Sequence, residues 1–129
     1  MFDKYLLVDG TARAVLNDGN PALEVDARIA YYRGLGLSMV EDVSISIDGV
    51  TVAREDTTFV VHGNSYSLDE MESVVDDRWG FTEAATVRVR TAEVVDGDHV
   101  IGLTERLRIS YIPMPTVTSC TKTMTVRGP

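Results

Sequence analysis

The sequence predicts an all-β fold: one β-sandwich domain spanning residues 1–129, mostly antiparallel, with a single short helical turn near residues 68–75. Three observations carry that reading. Apolar and polar residues alternate with period two wherever a period is visible, the mark of strands with one buried face. Turn signals recur roughly every 8 to 12 residues, the spacing of short sandwich strands. Only one stretch carries a helix-start signature.

From Leu23 to Tyr31 every odd position is apolar (Leu23, Val25, Ala27, Ile29, Tyr31), with Glu24, Asp26 and Arg28 between them. Val43 to Ile47 alternates in the same way; Asp48-Gly49 then supplies a two-residue hairpin turn and Val50-Thr51-Val52 returns. Thr58 to His62 is a short apolar strand ended by Gly63-Asn64, and Thr86 to Arg90 alternates again. Asp96-Gly97-Asp98 marks a turn, and the last clear strand runs from about His99 to Ile112. Pro113 and Pro115 interrupt the chain, leaving residues 116–129 as an edge strand or a tail; the alternation of Thr121, Thr123 and Thr125 favours the edge strand. The helical exception is Ser67-Leu68-Asp69-Glu70, a capping box in which hydroxyl and carboxylate satisfy each other's free backbone N–H groups, opening about two turns from Leu68 to Val75.

Composition narrows the function classes. At 129 residues, 44% hydrophobic and 25% charged, the chain matches one ordinary folded domain. A net charge of -8 argues against a nucleic-acid partner, since a phosphate-binding face needs clustered Lys and Arg. No apolar run approaches the ~20 residues of a membrane span. The start, Met1-Phe2-Asp3-Lys4-Tyr5-Leu6-Leu7, lacks the basic opening and long apolar middle of a signal peptide, and the single Cys120 cannot close an internal disulfide; together these predict a cytoplasmic protein.

Chemistry-bearing motifs are scarce. His62 and His99 stand alone, without the spacing that puts two metal ligands on one face, so no metal site is expected in this chain. His62 reads as a strand-end residue bonding to the turn after it. No Gly-x-Ser-x-Gly elbow is present, Cys120 has no local base, and Gly34-Leu35-Gly36 is not followed by a helix, so neither a nucleophile nor a phosphate cradle is expected. One carboxylate is out of place: Glu105 shares a row with Ile101, Leu103, Leu107, Ile109 and Tyr111. The plainer reading is a β-bulge turning Glu105 outward; the other is a pairing with an arginine such as Arg28, or with a partner chain.

Two apparent loops are rich in the residue types that anchor protein interfaces. Residues 31–40 carry Tyr31, Tyr32, Arg33, Leu35, Leu37 and Met39; residues 76–81 carry Arg78, Trp79 and Phe81. These nine residues are the candidate partner surface. The alternative is that the loops fold back to plug the sandwich ends.

The strings Met1 to Tyr5, Tyr32-Arg33-Gly34-Leu35, Leu37 to Asp42, His62 to Met71 and Arg108 to Pro113 resemble the small beta subunit of bacterial C-glycoside deglycosidases. One departure is visible: Gly36 stands where the family pattern leads one to expect a proline. The resemblance implies a β-sandwich that accompanies a larger alpha subunit, a TIM barrel binding a divalent metal, usually manganese. Together they would split the C–C bond of a 3-oxo-C-glycoside by β-elimination. It implies no catalytic, cofactor-binding or metal-binding residue in this chain. Two other classes remain. A carbohydrate-binding module would use exposed Trp and Tyr as stacking platforms, and a self-sufficient enzyme would need a composite carboxylate site.

Overall fold

Alternation sets the strands and the turns set their pairing. The computed structural model describes residues 6–17, 19–31, 34–81, 83–91, 97–109 and 112–128. In chain order, the described strands are β1 (Arg13–Asn17), β2 (Asn20–Ala27), β3 (Leu35–Gly36), β4 (Val40–Ile47), β5 (Val50–Thr51), β6 (Thr57–Val61) and β7 (Asn64–Ser67). The helical turn α1 (Leu68–Met71) follows, then β8 (Arg78–Trp79), β9 (Ala85–Arg90), β10 (Gly97–Leu107) and β11 (Thr116–Val126). One sheet has the order β1-β2-β9-β6-β7 and the other β11-β10-β4-β5; β3 and β8 form a separate two-stranded ribbon. The strand pairs are all antiparallel.

The two large sheets bury their alternate residues against each other. Leu23, Val25, Phe59, Val87 and Val89 face Val43, Ile45, Ile101, Leu103, Cys120 and Met124 in one continuous core. This is the all-β sandwich that the period-two pattern implies. Hairpins form where the turn chemistry allows. Asp48 and Gly49 both have positive φ, as do His62 and Gly63, which is what a two-residue turn matched to strand twist requires. Ser67 and Glu70 make the reciprocal capping box, but α1 is one turn long, not two: Ser73 and Val74 bond three residues back and the chain leaves the helix.

The structure departs from the sequence expectation at several strand ends. β2 stops at Ala27, although Ile29 and Tyr31 stay buried, and β10 stops at Leu107 short of Ile112. β1, β7 and the β3–β8 ribbon carry no alternation strong enough to announce them. Residues 116–126 are an edge strand, paired with β10 over their whole length. A bulge does exist beside Glu105, but in the neighbouring strand. Arg106 opposes Asp42 and Leu107 opposes Val40, so the extra residue is Glu41 of β4. Glu105 keeps regular register with Val43 and Thr118 and points inward. Among the described residues no helix is long and apolar enough to cross a membrane.

Candidate functional site

The two loops singled out in the sequence meet at one end of the sandwich. Leu35 pairs with Trp79 and Gly36 with Arg78 in the β3–β8 ribbon, and the Leu37 amide extends the ladder by donating to the Asp77 carbonyl at 3.1 Å. Ser38 N–H donates to the Val74 carbonyl at 3.1 Å, and Arg108 N–H to that of Met39 at 2.8 Å, tying the ribbon to the segment after α1 and to the end of β10. Gly34 makes the close approach possible. A Cβ there would sit 2.6 Å from the Trp79 carbonyl oxygen, and the φ of +73° belongs to glycine.

Of the nine candidate residues, the structure puts three inside the chain's own core. Trp79 and Leu37 have no exposed surface and Tyr31 is buried. Trp79 packs edge-on against Phe59, ring centroids 5.0 Å apart, and its indole N–H donates to the Glu83 carbonyl at 3.1 Å. The reason is geometric: without a regular period, an apolar loop that plugs a sandwich end looks the same in sequence as one that faces outward. Arg78 and Phe81 are exposed, Leu35 and Met39 are half-buried, and Tyr32 and Arg33 lie outside the described residues. Val75, not singled out from sequence, is the most exposed large apolar side chain of this end. A sugar-stacking platform built on Trp79 or Tyr31 has no surface to offer.

Around this ribbon lies a polar cluster that sequence reasoning did not assemble. His62, in the β6–β7 turn, does not bond to that turn; its ring reaches across to residues 77 and 83. Nδ1 lies 2.7 Å from Asp77 Oδ1, and Nε2 contacts Glu83 Oε2. Tyr66 OH donates to Asp77 Oδ2 at 2.8 Å, and the Arg78 backbone N–H to Asp77 Oδ1 at 2.9 Å. These donors, His62 first, hold the Asp77 carboxyl down at about 2. Reciprocally, Asp77 and then Glu83 raise the His62 imidazole above its ordinary value, and Asp77 raises the Tyr66 phenol. Glu83 in turn accepts the Gly80 amide at 3.2 Å, in space that a Gly80 side chain would fill. The signal for this cluster was faint: residues 62, 66, 77 and 83 share no sequence period.

Glu105 lies beneath the first loop. It has no exposed surface, its Oε1 accepts the Ala30 amide at 2.8 Å, and its Oε2 has no hydrogen-bond partner among the described residues. Burial pushes its carboxyl up to about 8, against a smaller opposing effect of the Ala30 bond. The bulge does not turn it outward, and among the described residues Arg28, which is exposed, makes no bond to it. Among the described residues no group of three or more His, Cys, Asp or Glu side chains is arranged to hold a metal ion, the His62 cluster included, because the two ring nitrogens face opposite carboxylates.

Comparison with known proteins agrees with the strings that drew attention in the sequence. A family model described as C-glycoside deglycosidase beta subunit matches residues 2–111. A 3'-dehydrocarminate deglycosidase beta subunit from Microbacterium sp is 28% identical over 114 residues, covering 88% of this chain and 83% of that protein. A C-glycoside deglycosidase beta subunit from Microbacterium trichothecenolyticum is 28% identical over 112 residues (87% and 82%). One from Arthrobacter globiformis is 26% identical over 92 residues (71% and 70%). With a match that spans most of its length, this chain belongs to the C-glycoside deglycosidase beta subunit family.

Proposed function

We propose that this protein is the non-catalytic small subunit of a bacterial, cytoplasmic lyase that cleaves the C–C bond of 3-oxo-C-glycosides, and that it shapes the active site of a larger, metal-dependent TIM-barrel alpha subunit. The family match over residues 2–111 is the observation that carries the reading. In such a reaction the ketone acidifies the neighbouring C2–H, so that a base and a Lewis acid can drive elimination of the aglycone. Both belong, in this reading, to the larger subunit, where manganese is the expected metal. The beta subunit's contribution is mechanical: a stiff surface that fixes the partner's loops and excludes water.

The docking surface in this reading is the outer side of the β3–β8 end, built from Arg78 and Phe81 with the accessible parts of Leu35 and Met39, and with Tyr32 and Arg33 beside them in sequence. Trp79, Leu37 and Tyr31 stiffen it from within. Co-expression of the chain with a larger C-glycoside deglycosidase subunit, followed by affinity capture and an assay on a 3-oxo-C-glycoside, tests the proposal. Capture and cleavage that need both chains, and that fall together in an Arg78→Ala/Phe81→Ala double variant, are expected. Turnover by this chain alone, or saturable binding of glycosides to it, overturns the reading.

A further inference from the structure

His62 touches both Asp77 and Glu83, the two ends of the 77–83 segment. Asp77 starts that segment and Glu83 closes it; between them lie the exposed Arg78 and Phe81 and the buried Trp79. The imidazole sits on a two-residue turn with φ of 53°, so its direction is set by the hairpin, not by the segment it holds. As imidazolium it has two N–H donors and can satisfy both carboxylates. As neutral imidazole it has one donor and one bare lone pair, and a lone pair facing a carboxylate is repulsive. We propose that His62 is a protonation-dependent clasp, which holds the 77–83 segment against the β6–β7 hairpin when charged and releases its Glu83 end when neutral. As a control on partner docking it rests on the proposed docking surface.

The geometry decides which end lets go. Asp77 has further donors in Tyr66 OH and the Arg78 amide, and its side chain is mostly buried, whereas Glu83 is half exposed. The remaining proton therefore stays on Nδ1 towards Asp77, and Nε2 turns bare towards Glu83. Glu83 is the acceptor for the Gly80 amide through its carboxylate and for the Trp79 indole through its carbonyl. Its departure loosens the turn that presents Phe81. The charged or titratable groups facing His62 are Asp77 and Glu83, with Tyr66 and Asp76 behind Asp77 and the Arg78 side chain exposed alongside. The excess of negative charge favours the imidazolium, so the clasp is closed below the raised His62 midpoint and opens as pH rises through it.

Nuclear magnetic resonance of the full chain between about pH 5.5 and 9 tests the clasp. The His62 ring should titrate above its ordinary value of 6.5, and the Gly80 amide and Trp79 indole resonances should move with the same midpoint. In Glu83→Gln the His62 midpoint should fall and the Trp79 response should vanish. His62→Asn, a side chain that tolerates left-handed backbone but is too short for the bridge, should abolish the response while keeping the fold. Gly80 and Trp79 signals indifferent to the His62 titration, or still titrating in His62→Asn, overturn the clasp. The affinity for the larger subunit, measured on either side of the midpoint, should weaken at least several-fold at high pH. If the signals titrate together and the affinity stays flat, the link to docking fails while the clasp itself stands.

Discussion

Glu105 and Ala30 are joined by one hydrogen bond, 2.8 Å from backbone N–H to Oε1, between the last residues of β10 and the loop that follows β2. Through this bond a buried carboxyl anchors the start of the first of the two site-forming loops. A carboxyl in that position costs free energy when ionised and much less when protonated. Its second oxygen, with no partner among the described residues, is where the cost falls.

A pH dependence of stability follows. The folded chain keeps the Glu105 proton until about pH 8, whereas the unfolded chain releases it near the ordinary value of 4.5. The folded state therefore binds more protons between those values. The stabilising contribution is full below about 4.5 and is lost as pH rises towards 8, by up to about 1.4 kcal/mol per pH unit. Glu105→Gln should remove this slope. Urea midpoints of the two chains should be similar near pH 5 and diverge in favour of the variant towards pH 8; parallel curves would refute the assignment.

Gly34 and Gly36 should respond oppositely. Gly34→Ala drives a Cβ into the Trp79 carbonyl at a positive φ and should cost about 1–3 kcal/mol, with loss of amide protection at Leu37. Gly36 has φ of -62°, the value proline imposes. Because the Leu37 amide bonds to Asp77, alternation of the antiparallel ladder leaves the Gly36 N–H pointing away from β8. Gly36→Pro should therefore stabilise the chain by about 0.4–1 kcal/mol, read as a rise in Tm. The proline expected from family resemblance thus fits the backbone this chain already has.

Trp79→Ala separates core from surface. It removes the largest fully buried side chain and should cost about 3–5 kcal/mol, lowering expression and Tm before any question of partner binding arises. Phe81→Ala should leave Tm within about a degree or two and act on capture of the larger subunit alone. Equal effects of the two on thermal melting would place Phe81 in the core as well.

Ser67→Ala breaks one half of the capping box and should cost about 1 kcal/mol, measured by denaturant titration. Ser67→Asp should recover most of it, because a carboxylate also accepts the Glu70 amide.

How much of this was legible in sequence depends on whether a feature is local. The hairpin at Asp48-Gly49, the capping box at Ser67 and the alternating faces of β2, β6 and β9 depend on neighbours within a few residues and read directly. The anomaly of Glu105 was visible as well, but its resolution was not. The bulge lies in the adjacent strand, and its trace is the spacing of three between Val40 and Val43 where two would be regular. The two loops were recognised as unusual, yet which aromatics turn inward depends on the Phe59 ring across the core and on Gly34, and neither is a sequence neighbour of Trp79. The His62 cluster needed four positions from two segments and left no pattern to find.

The extra residue at Glu41 gives β4 a bulge without changing which of its residues pack inward. Val40 and Val43 both face inward, so deleting Glu41 would restore an unbroken two-residue rhythm and leave the core's contents unchanged. The pairing on either side would not change: Asp42 already opposes Arg106 and Val40 already opposes Leu107, so the bulge absorbs the extra residue within β4. Arg106 and Arg108 would lose the carboxylate that both now approach. A chain one residue shorter at this point would thus keep the β3–β8 ribbon where it is and lose a charged contact at the surface instead.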